Sequence, residues 1–143
     1  MKGRFKDPVE GSRNIPFIPA ARLLSELKGE FFRKGKTLKN SFVKVEMDNV
    51  FAQNDAFTAY NTETPTPGYI LFNAGVGTDI VSKNKTLFSI YFNAMNIGDV
   101  AYQNHLSRLK YAPENLATGR TGVYNMGRNF SVKVNVPLEF RKN

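Results

Sequence analysis

The chain has 143 residues, 41% apolar and 22% charged, which suits one folded domain and is too apolar for a disordered tail. It holds no Cys, which excludes a disulfide framework, a thiolate metal site and a cysteine nucleophile. The net charge of +8 is uneven: residues 1–40 carry ten Lys/Arg against four acids, residues 41–99 three against six, and residues 100–143 seven against two.

Pro16, Pro19 and a Gly/Arg-rich opening predict an irregular stretch over residues 1–19. The opening has basic residues with no apolar run behind them, so it does not read as a secretory signal. No run of eighteen apolar residues occurs, so no transmembrane helix is expected. From Ala21, Leu23, Ser25, Leu27, Gly29 and Phe31 alternate with Arg22, Leu24, Glu26, Lys28 and Glu30. That period predicts a strand with one wet face, although Ala, Leu, Glu and Lys keep an amphipathic helix over 20–32 open.

A short basic turn, Arg33 to Asn40, leads into a sharper alternation over residues 41–51. Val43, Val45, Met47, Asn49 and Phe51 oppose Phe42, Lys44, Glu46, Asp48 and Val50. The polar stretch 54–68, with Pro65, Pro67 and Gly68, predicts a loop. Residues 69–81 set Ile70, Phe72, Ala74, Val76, Thr78 and Ile80 on one side, and residues 82–85 form a tight hairpin connection. Residues 86–97 place Phe88, Ile90, Phe92 and Ala94 opposite Leu87, Ser89, Tyr91, Asn93 and Met95. Residues 98–127 then form a long connection broken by Pro113, Gly119, Gly122 and Gly127.

The last strand alternates most cleanly. Phe130, Val132, Val134, Val136, Leu138 and Phe140 share one face, against Ser131, Lys133 and Asn135. Apolar and polar residues alternating over about ten positions, with aromatics at the ends, suit a transmembrane β-barrel strand. The connections run short, long, short, long, as the turns and outer loops of such barrels do. The expected fold is therefore all-β: about five antiparallel up-and-down strands over residues 20–143, part of a transmembrane β-barrel.

Chemistry-bearing groups are few. His105 is the only histidine and has no Cys to join it, so no metal site is expected. Gly75-Val-Gly-Thr-Asp79 holds G-x-G inside a strand, where glycines make room for neighbours rather than cradle phosphate. Glu46 and Asp48 share a face with Lys44, which reads as a solvated wall rather than as an acid–base pair. No catalytic residue and no cofactor is expected. Arg33, Lys34, Lys36, Lys39, Lys83, Lys85, Arg141 and Lys142 are expected at the turn end of the strands, apart from the apolar stripe, so no nucleic-acid partner is expected. The long loop from Gln103 to Gly127 carries His105, Arg108, Lys110, Tyr111, Arg120 and Tyr124 as candidate ligand contacts.

Asn96, Asp99 and Tyr102, in an N-x-x-D-x-x-Y stretch that follows a strand, and Gly127-Arg128-Asn129-Phe130 at the opening of the last strand resemble the C-terminal end of a TonB-dependent outer-membrane receptor, of the Bacteroidetes type. The resemblance covers roughly residues 15–140. It implies a C-terminal barrel segment, in the bacterial outer membrane, of a receptor that imports a glycan, siderophore or corrinoid. The implied partners are the receptor's remaining strands and plug, outer-membrane lipid, an inner-membrane energy-coupling protein, the barrel-assembly machinery and a surface lipoprotein. Phe130, Val132, Val134, Val136, Leu138 and Phe140 would then form the barrel-assembly signal. Beside this stands a soluble small all-β barrel holding an apolar ligand. In neither reading is the chain an enzyme.

Overall fold

The computed structural model describes residues 3–83 and 85–138, so Phe140, Arg141 and Lys142 lie outside the described residues. The chain is all-β, with nine strands among those residues: β1 (Arg4–Val9), β2 (Ser12–Asn14), β3 (Arg22–Phe31), β4 (Leu38–Val50), β5 (Tyr69–Ser82), β6 (Lys85–Met95), β7 (Glu114–Asn115), β8 (Arg120–Thr121) and β9 (Asn129–Asn135). Five of them form one sheet in the order β3-β4-β5-β6-β9. β1 with β2 and β7 with β8 form two small ribbons.

The chain divides into two compact units. The loop unit holds the described residues up to Leu23, with Asp48–Ile70 and Val100–Gly127. The strand unit holds Leu24–Met47, Leu71–Asp99 and the described residues from Arg128.

In the strand unit, side chains alternate across the sheet as strand geometry requires. Ala94, Phe92 and Ile90 of β6 stand opposite Phe130, Val132 and Val134 of β9. The same β6 residues face Ala74, Val76 and Thr78 of β5. Ser41 of β4 bonds Thr78 across 2.7 Å, which puts Val43 and Val45 on this apolar side too. The opposite side pairs Asn93 with Ser131 and Tyr91 with Lys133, and Asp79 with Ser89. Asp79 accepts from Ser89 Oγ at 2.6 Å and from Asn40 Nδ2 at 2.8 Å. Lys44 reaches Glu46 at 2.8 Å and Glu26 at 3.5 Å.

Large apolar residues stand exposed on the apolar side, and some polar groups on the other side are buried. Phe92 and Val132 on the apolar side are 44% and 63% exposed, while Ser89 on the polar side is 7% exposed. Gly75 and Gly77 lie on the polar side, where a Cβ on Gly77 would meet the rings of Tyr91 and Phe42 at 2.5 and 2.6 Å. These glycines leave room for polar-side residues, as expected from the sequence.

Two local expectations, on residues 1–19 and on the last strand, need correction. Residues 1–19 are not irregular throughout, because Glu10 and Gly11, both at positive φ, turn β1 back onto β2. Strand β3, Arg22–Phe31, forms where the alternation predicts it and the helix left open over 20–32 does not. Pairing of β9 ends at Asn135, two residues before Pro137, which has no N–H to donate.

Candidate functional site

In the loop unit, three segments of the chain meet around buried polar groups. Glu63, 5% exposed, accepts the Phe17 N–H at 2.9 Å and the Phe57 N–H at 3.0 Å. Thr66 is anchored by a two-way backbone bridge to Gln53. Gln53 in turn donates to the Ile18 carbonyl at 3.0 Å. Lys110 donates to Thr66 Oγ1 at 2.9 Å and to the Thr64 carbonyl at 3.1 Å. Tyr111 Oη accepts the Thr64 N–H at 3.1 Å. The 3-10 turn Arg108–Tyr111 places Lys110 and Tyr111 for these contacts.

His105 completes the cluster. Its Nδ1 lies 2.9 Å from Thr66 Oγ1. The Lys110 ammonium can only donate, so Thr66 Oγ1 accepts from it and shares its second lone pair or its proton with Nδ1 according to the ring's tautomer. The other ring nitrogen, Nε2, is buried without a hydrogen-bond partner and lies 3.7 Å from Glu63 Oε1. Burial first, and the Lys110 charge second, hold the His105 pKa below its ordinary value, while Glu63 opposes them. The imidazole is therefore neutral at pH 7.

A Thr–His–Glu line invites comparison with a nucleophile, base and orienting acid. Here Thr66 is buried and its hydroxyl is occupied by Lys110 and His105, and the His–Glu separation exceeds a hydrogen bond. The geometry fastens the loop over 51–68 to the loop over 96–128. Among the described residues, no group of three metal-ligating side chains gathers.

The six loop residues singled out in the sequence thus part company. His105 and Lys110 are buried fasteners. Arg108 and Tyr111 lie at the surface and line a small cleft with Phe17, Glu63 and His105. The Arg108 guanidinium stands 5.0 Å over the Phe17 ring, itself exposed at a positive φ. Arg120 instead covers Tyr124 at 5.3 Å. Glu63, Thr66 and Gln53, which organise the unit, carried no signal in the sequence, since their partners lie far along the chain.

The two motif segments also acquire a physical basis. Asn96 and Asp99 both take positive φ, which Asn and Asp tolerate best after Gly. The Asp99 N–H donates to the Asn96 carbonyl at 2.9 Å, and Asp99 Oδ1 accepts the Arg128 N–H at 2.8 Å. The turn that ends β6 is thereby tied to the residue that opens β9. Tyr102 packs on Tyr69 with ring centroids 4.4 Å apart.

Of the strand residues expected to signal barrel assembly, Phe130, Val132 and Val134 lie exposed on the apolar side, and Val136 and Leu138 are exposed beyond β9. At the other edge of the loop unit's strands, Arg22 makes a two-pronged bond to buried Asp48, at 2.6 and 2.7 Å. Comparison with family models, curated proteins and solved structures finds no match to this chain.

Proposed function

We propose that this chain forms wall strands and outer loops of an outer-membrane transport barrel, the C-terminal part of an energy-coupled receptor of the TonB-dependent kind. The observation that carries the reading is the exposed apolar side of the five-stranded sheet, backed by a polar side with buried, hydrogen-bonded groups. Eleven large apolar residues on that side of the strand unit, from Leu27 on β3 to Val134 on β9, stand exposed. Moving eleven half-exposed side chains into hydrocarbon is favourable by on the order of 10 kcal/mol. A surface this apolar in water favours association. The alternative soluble barrel would instead turn this apolar side inward around its ligand.

The chain order fits the same reading. Along the chain the five strands are joined by a short connection, a long one over 51–68, a short hairpin and a long one over 96–128, the alternation of turns and outer loops in such barrels. Edge strands β3 and β9 leave backbone groups open, and hydrocarbon does not tolerate open edges. Further strands must close the barrel, so the five strands by themselves conduct nothing. In this reading Arg108, Tyr111, Arg120 and Tyr124 are the loop residues placed to meet an imported nutrient or a surface lipoprotein.

The test is density fractionation of membranes from cells that make the protein, probed with an antibody to the loop Leu106–Tyr111. Recovery in the outer-membrane fraction supports the reading. Recovery in the soluble fraction contradicts it.

A further inference from the structure

The two short turns of the strand unit are rich in basic residues. Arg33, Lys34 and Lys36 lie exposed between β3 and β4, with half-buried Lys39 just inside β4. Lys83 and Lys85 are exposed at the β5–β6 hairpin. Two acids stand near them: Glu30, paired with Lys28 at 2.9 Å and Arg33 at 3.1 Å, and Asp79, which accepts from the neutral Ser89 and Asn40. The cations outnumber these two carboxylates, so the turn end of the strand unit is positive.

Next to these cations the apolar side ends in aromatics. Phe31 and Phe32 pack edge to face, with centroids 5.4 Å apart, and both are exposed. Phe88 of β6, opposite Ile80 of β5, is half-buried at the same end. An apolar surface that passes through aromatic rings into flexible cations matches the layers of a bilayer from hydrocarbon to headgroup. Charge complementarity then selects an anionic headgroup.

We propose that the turn end of the sheet is a docking surface for an anionic phospholipid leaflet, with Arg33, Lys34, Lys36, Lys39, Lys83 and Lys85 at the headgroup level and Phe31 and Phe32 beneath them. This inference rests on the membrane-spanning reading above and adds the lipid class and the side on which it is met. The lysines reach headgroup phosphates as mobile point charges, so the attraction is salt-sensitive and not specific to one lipid.

The test is flotation of the full chain, diluted from detergent, with phosphatidylcholine vesicles alone or with about a third phosphatidylglycerol. Three proteins are compared: the chain itself, Lys34→Gln with Lys36→Gln, Lys83→Gln and Lys85→Gln, and a control with Arg4→Gln, Lys6→Gln, Arg13→Gln and Arg128→Gln. Circular dichroism checks that each keeps its β-structure. We expect all three to float with phosphatidylcholine through the apolar side. Phosphatidylglycerol should tighten binding of the chain and the control by about tenfold or more, an increment that the turn variant and high salt remove.

Flotation with phosphatidylcholine and no gain from phosphatidylglycerol overturns the docking surface and leaves the spanning reading intact. Equal loss in the control and turn variants overturns it as well, since any cation would then serve. Flotation with phosphatidylglycerol vesicles alone, lost in the turn variant, supports the docking surface and counts against the spanning sheet. Release by inorganic phosphate, where chloride of equal ionic strength releases nothing, assigns the cations to free phosphate and overturns the proposal. So does release by an oligonucleotide that binds the chain more tightly than the vesicles do.

Discussion

Glu63→Ala tests how the loop unit is held together. The carboxylate is buried and accepts two backbone N–H groups, from Phe17 and Phe57, which lie 46 and 6 residues away along the chain. A hydrogen bond to a charged group contributes about 1.5–3 kcal/mol, and a buried donor left without its acceptor loses that in full. Truncation to Ala removes both acceptors, so the expected cost is about 3–5 kcal/mol to the loop unit. Glu63→Gln keeps one carbonyl oxygen and turns an amide NH2 toward the other N–H, so it should cost about half as much. Hydrogen exchange of the chain in detergent reads this out residue by residue. The Phe17 and Phe57 amides should lose protection by about two or more orders of magnitude in the Ala variant, and amides of β6 and β9 should not. Unchanged protection at Phe17 and Phe57, or an equal loss across the whole chain, would refute the reasoning.

The remaining predictions touch other parts of the molecule. The folded loop unit holds His105 neutral, with a pKa below the unfolded value of about 6.5, so below that pH the unfolded form binds the extra proton. Glu63, Lys110, Arg108 and Tyr111 face the ring, and the local stability they share should be full above pH about 6.5 and fall by up to about 1.4 kcal/mol per pH unit beneath it, until the folded pKa is reached. His105→Gln should flatten that slope in pH-dependent hydrogen exchange, and a slope that persists would assign it elsewhere. Gly77→Val drives a side chain into Phe42 and Tyr91 and should cost about 1–3 kcal/mol by denaturant titration, whereas Gly75→Ala meets the flexible ends of Asn93 and Lys44 and should cost less. Equal costs would contradict the tight ring packing over Gly77. Arg108→Ala combined with Arg120→Ala should lower nutrient uptake by cells at an unchanged level of protein in the outer membrane, and full uptake would remove these residues from the contact surface.

The strand pattern was legible because it is local. Val43, Val45, Phe88, Ile90 and Phe92 alternate with polar neighbours, and a period of two has only one geometric solution over ten residues. The edge of legibility appears where periodicity is short or broken. Arg4–Val9 is six residues of mixed character, Pro8 among them, so the β1–β2 ribbon read as irregular. Leu38 to Asn40 read as turn because of their charge, yet β4 begins there. The loop cluster could not be foreseen at all. His105 and Lys110 looked like surface groups, and their burial depends on Thr66, 39 and 44 residues away. Polar residues buried through distant partners leave no local signature.

The account turns on one claim, that the apolar side of the sheet faces lipid. Because the chain has no Cys, single cysteines can be introduced along β9 without a background. Phe130→Cys, Val132→Cys and Val134→Cys, against Ser131→Cys, Lys133→Cys and Asn135→Cys, would be labelled with a fluorophore in reconstituted membranes and exposed to lipid-dissolved or water-soluble quenchers. The account predicts a two-residue period: the first three are quenched from the lipid, and the other three only from water. Water-soluble quenching of all six positions, or the opposite period, would contradict it.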